Sequence, residues 1–351
     1  MAPQNIRHSY LLSDRLLESF APSMEVYSID EAFLDLTGVC SRNPTAYGHQ
    51  IRKAVVRATG IPVCVGMAPT KTLAKLANYA AKNWKHTKGV LDLSDSARRE
   101  KLMKLVPVGE VWGIGSKTSA KLNKLGIVTV WDLACQSSQH IHTQFNVVVA
   151  RTVMELNGIA CMELEDITPN KQQIVCSRSF SRRLTTYSEL SQALSEFCSR
   201  AAEKLRHQHS VTGCVSVFIR TSPFNPQEPH YERSATLKLS AATQDTRTLI
   251  TAANHLLAEI FRLGYNYQKC GVQLSHIQPV TTAGQCELFD FADDSLPTEN
   301  PLLMATLDQI NRRFPKKLSI AATGTDKSWQ PKTERISQRY TTDWKELVWV
   351  K

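Results

Sequence analysis

Residues 26–36, with the sequence VYSIDEAFLDL, constrain the fold of this chain more than any other segment. Two apolar runs flank a short centre, and this pattern predicts a β-hairpin whose strands pack against a core. The turn of that hairpin consists of Asp30 and Glu31. Adjacent carboxylates repel each other unless water, a cation or a basic group compensates their charge. The hairpin therefore predicts either a solvated acidic turn or one part of a metal-binding site.

Strand and helix patterns alternate around this hairpin. Residues 47–58 and 69–84 carry apolar side chains at helical spacing, and the apolar strand IPVCVGMA lies between these two segments. A hairpin among alternating strands and helices predicts an α+β sheet domain over residues 1–100. From residue 101 to residue 170 the strand pattern fades, and short helices are predicted instead.

A second α+β unit is predicted over residues 171–280. Its first strand contains QIVCSRSF, and its first helix begins at Thr186, which forms a capping box with Glu189. Two more strands, a long helix and a last strand follow, which predicts two helices on one face of a four-stranded sheet. Residues 281–351 are polar and interrupted, and this composition predicts a partly disordered tail. The whole chain is thus predicted to be an α+β multidomain protein.

Composition restricts the class of protein further. The 351 residues include 42 Lys and Arg against 32 Asp and Glu, and this net charge of +10 is typical of proteins that bind nucleic acid or another polyanion. No apolar run approaches the roughly 20 residues that a membrane-spanning helix needs. The nine cysteines form no CxxC pair, which argues against a zinc knuckle or a disulfide framework and indicates a reducing compartment. We therefore expect a cytoplasmic protein.

Residues 107–126, PVGEVWGIGSKTSAKLNKLG, predict a glycine turn followed by a lysine-rich helix. Gly113 and Gly115 allow the backbone to approach a ligand closely, and the helix offers free N–H groups at its positive end. Lys117 and Lys121 add positive charge to that helix. The pattern resembles a helix-hairpin-helix, a motif that binds the DNA backbone without reading bases. The alternative is a solvated helix after a glycine turn.

The first strand of the second unit contains Arg178 and Arg182, which are four residues apart. In an extended strand their side chains share one face, with Phe180 between them. Arg220 ends a later strand. The three arginines predict a basic sheet face that contacts phosphates, and a charged face without a ligand is the alternative.

Three segments together resemble the Y-family translesion DNA polymerases. YSIDEAFLDL is similar to the carboxylate motif of that family, VGMAPTKTLAKLAN to its next palm motif, and VWGIGSKTSAKLNKLGI to its thumb hairpin, in the same order and spacing. Within the family, the chain looks closest to the UmuC group, the catalytic subunits of error-prone DNA polymerase V. A cyclase-like palm enzyme would share the carboxylate hairpin but would leave the thumb hairpin unexplained.

The resemblance implies four domains and an activity. It assigns a partial polymerase palm to residues 1–100, a helix-hairpin-helix thumb to residues 101–170, and a little-finger domain with a four-stranded sheet to residues 171–280. Residues 281–351 would contain a clamp-binding peptide and the C-terminal tail. The implied activity is error-prone, template-directed nucleotidyl transfer past damaged DNA in the SOS response.

The resemblance also implies roles for individual residues. Asp30 would ligate the catalytic Mg²⁺ ions of a two-metal site, and Glu31 would complete their coordination near the primer 3′-OH. Lys71 matches the basic residue that reaches the triphosphate of the incoming nucleotide. The residues implied to bind the DNA primer–template are Gly113, Gly115, Lys117 and Lys121 in the thumb and Arg178, Arg182 and Arg220 in the little finger.

A short peptide near the end of the chain resembles the segment by which bacterial polymerases dock on the sliding clamp. In the sequence QCELF, Gln285 would be a polar anchor, and Leu288 and Phe289 would fill an apolar cleft on the clamp. Membership in the UmuC group further implies the UmuD′ dimer and RecA as partners.

The resemblance begins in the helix just before the Asp30 hairpin. The family's first palm strand, which supplies another metal-binding carboxylate, and its fingers domain have no counterpart in the match, and residues 1–9 contain no acid. We expect either a start site that lies upstream or a truncated protein that binds damaged DNA and the clamp without chemistry. In both cases we expect this chain alone to have little or no polymerase activity and residues 1–100 to be marginally stable.

Overall fold

The computed structural model describes residues 15–39, 43–164, 170–280, 300–314, 317–325, 327, 329–330, 338 and 344–346. The chain divides into two compact units. The first unit extends over Met1–Thr168 and Arg335–Lys351, and the second extends over Pro169–Glu334. Both units combine helices with strands, which confirms the predicted α+β multidomain class.

Short strands and helices alternate in the first part of the first unit. The elements are β1 (Ser23–Val26), β2 (Ala32–Asp35), α1 (Pro44–Thr59), β3 (Val65–Met67), α2 (Lys71–Asn83) and β4 (Val90–Asp92). In the described part of this unit the strands form two separate pairs, antiparallel for β1 with β2 and parallel for β3 with β4. The hairpin predicted around Asp30 is confirmed, with Val26 opposite Ala32 at its closed end.

The rest of the first unit, as far as the structure describes it, is helical, as the sequence predicts. The helices are α3 (Ser96–Leu105), α4 (Ser116–Lys124), α5 (Val130–Ala134), α6 (Ser138–Gln144) and α7 (Val147–Leu156), with 3₁₀ turns at Lys85–Thr87, Val108–Glu110 and Trp344–Glu346. Side-chain caps define several helix starts. At α5, for example, Thr129 and Asp132 form a reciprocal capping box.

The core of the first unit consists of α2 and the helices that follow it. Leu73 on α2 and Leu122, Leu133 and Ile141 on later helices are fully buried in one apolar cluster. This cluster crosses residue 100, and the predicted boundary between palm and thumb stays a prediction. The hairpin contributes nothing to it, because no residue of β1 or β2 is fully buried.

The second unit is built around one antiparallel sheet. Its elements are β5 (Ile174–Leu184), α8 (Tyr187–His207), β6 (Ser210–Arg220), β7 (Glu232–Thr243), α9 (Thr246–Ile260), β8 (Tyr267–Pro279) and α10 (Pro301–Arg313). The strand order is β5-β8-β6-β7, and α8 and α9 pack on the face that carries Val217 and Val272. The predicted four-stranded sheet with two helices on one face is therefore confirmed. None of the helices described here or in the first unit is long and apolar enough to cross a membrane.

Helix α10 packs onto the second unit, which the sequence analysis did not predict. Met304 on this helix is 2% exposed. The guanidinium of Arg206 on α8 donates two hydrogen bonds to the carboxylate of Asp308, over 2.6 and 2.7 Å. Pro301–Arg313 is therefore an ordered helix within the tail that was predicted to be partly disordered.

Trp329 attaches a further part of the tail to the same unit. Its indole is 2% exposed and makes edge-on contacts with Phe180 and Phe197, at centroid distances of 6.1 and 5.6 Å. Its backbone oxygen accepts hydrogen bonds from the N–H and the hydroxyl of Ser181. These bonds lie where the pairing of β5 with β8 is interrupted between Ser179 and Leu184, so the tail provides an acceptor that the ladder lacks there.

Candidate functional site

Backbone hydrogen bonds to Glu31 shape the tip of the β1–β2 hairpin. The N–H groups of Tyr27 and Ser28 both donate to the backbone oxygen of Glu31, each over 3.0 Å. The hydroxyl of Ser28 donates to Asp30 Oδ1 over 2.6 Å, and the N–H of Asp30 approaches the same hydroxyl at 3.3 Å. This local network holds the carboxylate of Asp30 at the exposed tip of the hairpin.

Both lysines near the start of α2 pair with acids of the hairpin. Lys75 Nζ lies 2.7 Å from Glu31 Oε1. Lys71, the first residue of α2, pairs with Glu25 and donates to the backbone oxygen of Glu163 over 2.6 Å. The structure thus brings the predicted residue Lys71 beside the acidic hairpin and adds Lys75, which the sequence analysis did not select. The signal for Lys75 is its i+4 spacing from Lys71, which places both side chains on one helix face.

Three aromatic rings surround the lysine side chains. Tyr27 makes an edge-on contact with Trp112 at a centroid distance of 5.4 Å, and Trp112 Nε1 donates to the Tyr27 hydroxyl over 3.0 Å. Phe33 contacts both rings. Lys75 Nζ lies 4.9 Å from the centroid of Tyr27, a cation–π distance. Because Trp112 directly precedes Gly113, these contacts attach the acidic hairpin to the glycine turn within the first unit.

A cavity of about 610 Å³ lies beside this cluster. Its polar lining includes Asp30, Glu31, Lys71 and Lys75. Its apolar lining comes from β2, α1, β3 and α2. A cleft with an apolar wall and a few convergent charged groups is the usual form of a small-molecule site.

The acids of the hairpin match the donor chemistry of Mg²⁺ only in part. Asp30 and Glu31 offer the carboxylate oxygens that hard divalent cations prefer, but Glu31 is paired with Lys75. Asp35 also lines the cavity, at the opposite end of β2, where hydrogen bonds from the hydroxyl and N–H of Thr37 lower its pKa. Among the residues described, no three His, Cys, Asp or Glu side chains are grouped to hold a metal ion. The described residues therefore supply two carboxylates, those of Asp30 and Glu31, rather than a complete two-metal site.

The glycine turn has the geometry that the sequence predicts for a backbone-binding motif. Gly113 has φ of +88°, a conformation that favours glycine, and a Cβ there would meet no atom within 4 Å. Gly115 is the N-cap of α4. As a glycine it has no side chain that could accept a hydrogen bond from the first N–H groups of the helix. Lys117 and Lys121 are both exposed on α4. This arrangement presents N–H groups and positive charge on one surface.

The predicted arginines of the second unit lie in different environments. Arg178 and Arg182 are exposed on β5, and Arg182 pairs with Glu189 at the start of α8. Phe180 is 6% exposed and packs in the core. Arg178 pairs with the buried Cys270, so Arg178 and Phe180 share the helix side of β5 as predicted, although only the arginine, on this edge strand, is exposed.

Arg220 pairs with Lys269, the neighbour of Cys270 on β8, and therefore lies on the opposite face of the sheet from Arg178. The prediction that the arginines form one basic sheet face is therefore wrong for Arg178 and Arg220.

The face of the sheet opposite the helices is polar and basic. Arg220 on β6 lies opposite Lys269 on β8, and Lys238 is exposed on β7. The ring of Phe218 lies across Gly271, where a Cβ would be 2.5 Å from the ring, and Lys269 Nζ is 6.0 Å from its centroid. Lys238 and Lys269 were not predicted as site residues, because their place on the face of Arg220 depends on the strand register.

The predicted clamp-binding residues Gln285, Leu288 and Phe289 lie outside the residues that the structure describes. Their role stays a prediction.

Four family models match this chain. The impB/mucB/samB family matches residues 8–79, the IMS family HHH motif matches residues 95–127, and the impB/mucB/samB family C-terminal domain matches residues 171–288. A domain of unknown function matches residues 302–350.

Relatives along most of the chain agree with these matches. The chain is 48% identical to protein UmuC of Salmonella typhimurium over 338 residues, which is 95% of this chain and 79% of the relative. It is 46% identical to protein MucB of Escherichia coli over 95% of this chain and 78% of the relative. It is 28% identical to DNA polymerase IV of Clostridium acetobutylicum over 85% of this chain and 72% of the relative.

A solved structure shows the same fold. The chain resembles a Y-family DNA polymerase chimera of Dbh and Dpo4 with a TM-score of 0.60 and 20% identity. The match covers 80% of this chain and 78% of the chimera.

Proposed function

The chain belongs to the impB/mucB/samB family of Y-family DNA polymerases, and from this membership we propose that it is the catalytic subunit of an error-prone translesion DNA polymerase. The reaction would be template-directed nucleotidyl transfer past damaged DNA. The observation that carries this proposal is the convergence of the Asp30–Glu31 turn with Lys71 and Lys75 at one cavity.

In the proposed mechanism, the lysines of α2 bind the triphosphate of the incoming nucleotide. The phosphate oxygens replace Glu25 at Lys71 and Glu31 at Lys75, because each ammonium group can exchange one anionic acceptor for another. The release of Glu31 frees its carboxylate to act beside Asp30 as an oxygen ligand. The Mg²⁺ ions, when bound, would neutralise the charge that develops on the transferred phosphoryl group.

DNA binding is proposed for both units. In the first unit, the N–H groups that follow Gly113 and Gly115 would contact a phosphate backbone, with Lys117 and Lys121 beside them. In the second unit, Arg178, Arg182 and Arg220 would do so. The net charge of +10 supports this role, since counterion release favours the binding of basic proteins to DNA.

The cellular context is proposed from the family alone. Gln285, Leu288 and Phe289 would dock on the sliding clamp, and the UmuD′ dimer and RecA would be partners in the SOS response. A cytoplasmic location agrees with these partners.

The test is the substitution Asp30→Ala in the gene of the cell that makes this protein. We expect damage-induced mutagenesis to fall to the level of a gene deletion, because the exposed metal ligand at the hairpin tip is lost. The purified Asp30→Ala chain should keep its affinity for primer–template DNA, since the hydrogen bonds of Asp30 are with Ser28, within the hairpin. Glu259→Gln, which changes an exposed acid on α9, is the matched control. Mutagenesis that persists in the Asp30→Ala strain would refute the proposal.

A further inference from the structure

Glu155 on α7 is a buried acid that the proposed mechanism does not use. Its side chain is fully buried, with 0% of the residue exposed. Its Oε2 accepts a hydrogen bond from the N–H of Thr72 over 3.0 Å, and its Oε1 accepts one from the N–H of Cys161 over 2.7 Å. A buried charge is stable only when hydrogen bonds or an opposite charge compensate it, and here two backbone donors do so.

These bonds join α7 to the N-terminus of α2. Thr72 is the second residue of α2, where the helix has free N–H groups and a positive dipole end that favours an anion. The hydroxyl of the N-cap residue Thr70 also donates to the backbone oxygen of Glu155, over 2.9 Å. The side chain and backbone of one residue therefore bind the helix start on both sides of Lys71.

Glu155 Oε1 binds the segment after α7, and the same segment accepts a hydrogen bond from the Lys71 side chain. Cys161 lies two residues before Glu163, whose backbone oxygen accepts the hydrogen bond from Lys71 Nζ over 2.6 Å. The carboxylate of Glu155 thus positions the backbone at Lys71, through Thr72. It also positions the backbone oxygen of Glu163, which binds Lys71 Nζ, through Cys161.

We propose that Glu155 is a positioning residue for Lys71 in the nucleotide site. The carboxylate occupies the N–H of Thr72 at the start of α2, and Thr70 Oγ1 occupies that of Leu73, so these two N–H groups do not bind a phosphate of the nucleotide. The ammonium groups of Lys71 and Lys75, which line the cavity, are then the groups that bind the phosphates. This inference rests on the proposed function for its substrate, but its structural part is independent of it.

The experiment is Glu155→Gln in the full chain, read out by the acylation rate of individual lysines with acetic anhydride and mass spectrometry. Glutamine has nearly the same shape, but its NH₂ group must face one of the two N–H donors, which then loses its acceptor. We expect the acylation rate of Lys71 to rise about fivefold, because one lost hydrogen bond is worth about 1 kcal/mol and this free energy corresponds to a factor of about five. The exposed Lys82 at the end of α2 should react at an unchanged rate.

Glu196→Gln is the matched control, because Glu196 is also a buried acid but lies in the second unit, where it binds Arg200 and Lys327. It should leave the acylation of Lys71 unchanged. An unchanged Lys71 rate in a folded Glu155→Gln chain, or an equal rise at Lys82, would overturn the inference. If Glu155→Gln does not fold, as judged by circular dichroism, Glu155→Asp keeps the charge on a shorter side chain. It should also raise the acylation rate of Lys71, because the shorter side chain cannot reach both N–H donors, and no rise would again overturn the inference.

A second readout separates this inference from the proposed function. dATP should protect Lys71 and Lys75 of the unmodified chain from acylation, and Glu155→Gln should raise the half-protecting dATP concentration about fivefold. If dATP protects neither lysine of the unmodified chain, the proposed nucleotide site is wrong. The effect of Glu155→Gln on the basal rate of Lys71 would still decide whether Glu155 positions that lysine.

Discussion

The β1–β2 hairpin of the first unit and the four-stranded sheet of the second unit are both antiparallel, but different forces stabilise them. Each hairpin strand has four residues and no buried side chain. The strands of the sheet have 11, 11, 12 and 13 residues, and one face of the sheet is covered by α8 and α9. A lone two-stranded hairpin is marginally stable in water. The hairpin therefore depends on ion pairs and aromatic contacts, whereas the sheet depends on apolar burial.

This difference has a consequence for function. The lysines that hold the hairpin, Lys71 and Lys75, are also the groups proposed to bind the nucleotide. Ligand binding at this site therefore exchanges contacts that stabilise the hairpin, and regions of low local stability are those that move most easily when a ligand binds. In the second unit, the basic residues lie on a sheet whose other support is the large apolar core beneath α8 and α9.

The largest expected effect tests the burial of the second unit. Trp329→Ala should lower the free energy of unfolding of this unit by about 3–5 kcal/mol, because it leaves a cavity between Phe180 and Phe197. Chemical denaturation, followed by hydrogen exchange of β5, measures this loss. Phe314→Ala on the same tail is the control, since Phe314 is 52% exposed and should have little effect. A loss below about 1 kcal/mol for Trp329→Ala would show that the tail is not part of the core.

A smaller effect tests the aromatic contacts of the hairpin. Trp112→Ala removes two ring contacts and the hydrogen bond to Tyr27, and should destabilise the hairpin locally by about 1–2 kcal/mol. Amide exchange of residues 23–35 should accelerate, while exchange in β6 and β8 stays unchanged. Trp112→Phe keeps one aromatic ring but loses the N–H and part of the ring surface, so its effect should be intermediate. Equal acceleration in both units would contradict the separate stabilisation of the hairpin.

The smallest effect concerns the pH dependence of the second unit. Burial alone would raise the pKa of Asp245, but hydrogen bonds from Arg247 and from the N–H of Asn300 outweigh it and lower the pKa below the ordinary 3.8. Because the folded pKa is depressed, the ionised group stabilises the unit above the unfolded pKa, and this contribution is lost as pH falls through the folded pKa. Asp245→Asn should therefore cost about 1 kcal/mol at neutral pH and progressively less below about pH 4.

Thermal melts of Asp245→Asn and the unmodified chain across this pH range measure the difference. Since Asp245 joins α9 to the start of α10 through Asn300, the same melts test the attachment of the tail. A difference in stability that stays constant with pH would contradict the assigned role.

Local patterns predicted the elements of the fold well. The hairpin around Asp30, the glycine turn at Gly113 and the N-cap at Thr186 each depend on residues close together in the sequence. The attachment of Trp329 to β5 was not predictable in this way, because its hydrogen-bond partner Ser181 lies 148 residues away in the sequence. The tail itself was predicted to be partly disordered because its polar composition does not reveal the few side chains that pack.

The sequence by itself determined which residue types stand at the candidate site, since the Asp30–Glu31 turn and the lysines of α2 are local features. Only the tertiary structure decided which charges meet. Lys71 pairs with Glu25 across 46 residues, Thr72 binds Glu155 across 83 residues, and Ser181 binds Trp329 across 148 residues. Such partners depend on strand register and helix packing. These arise from the burial of whole faces, and no short segment of the sequence specifies them.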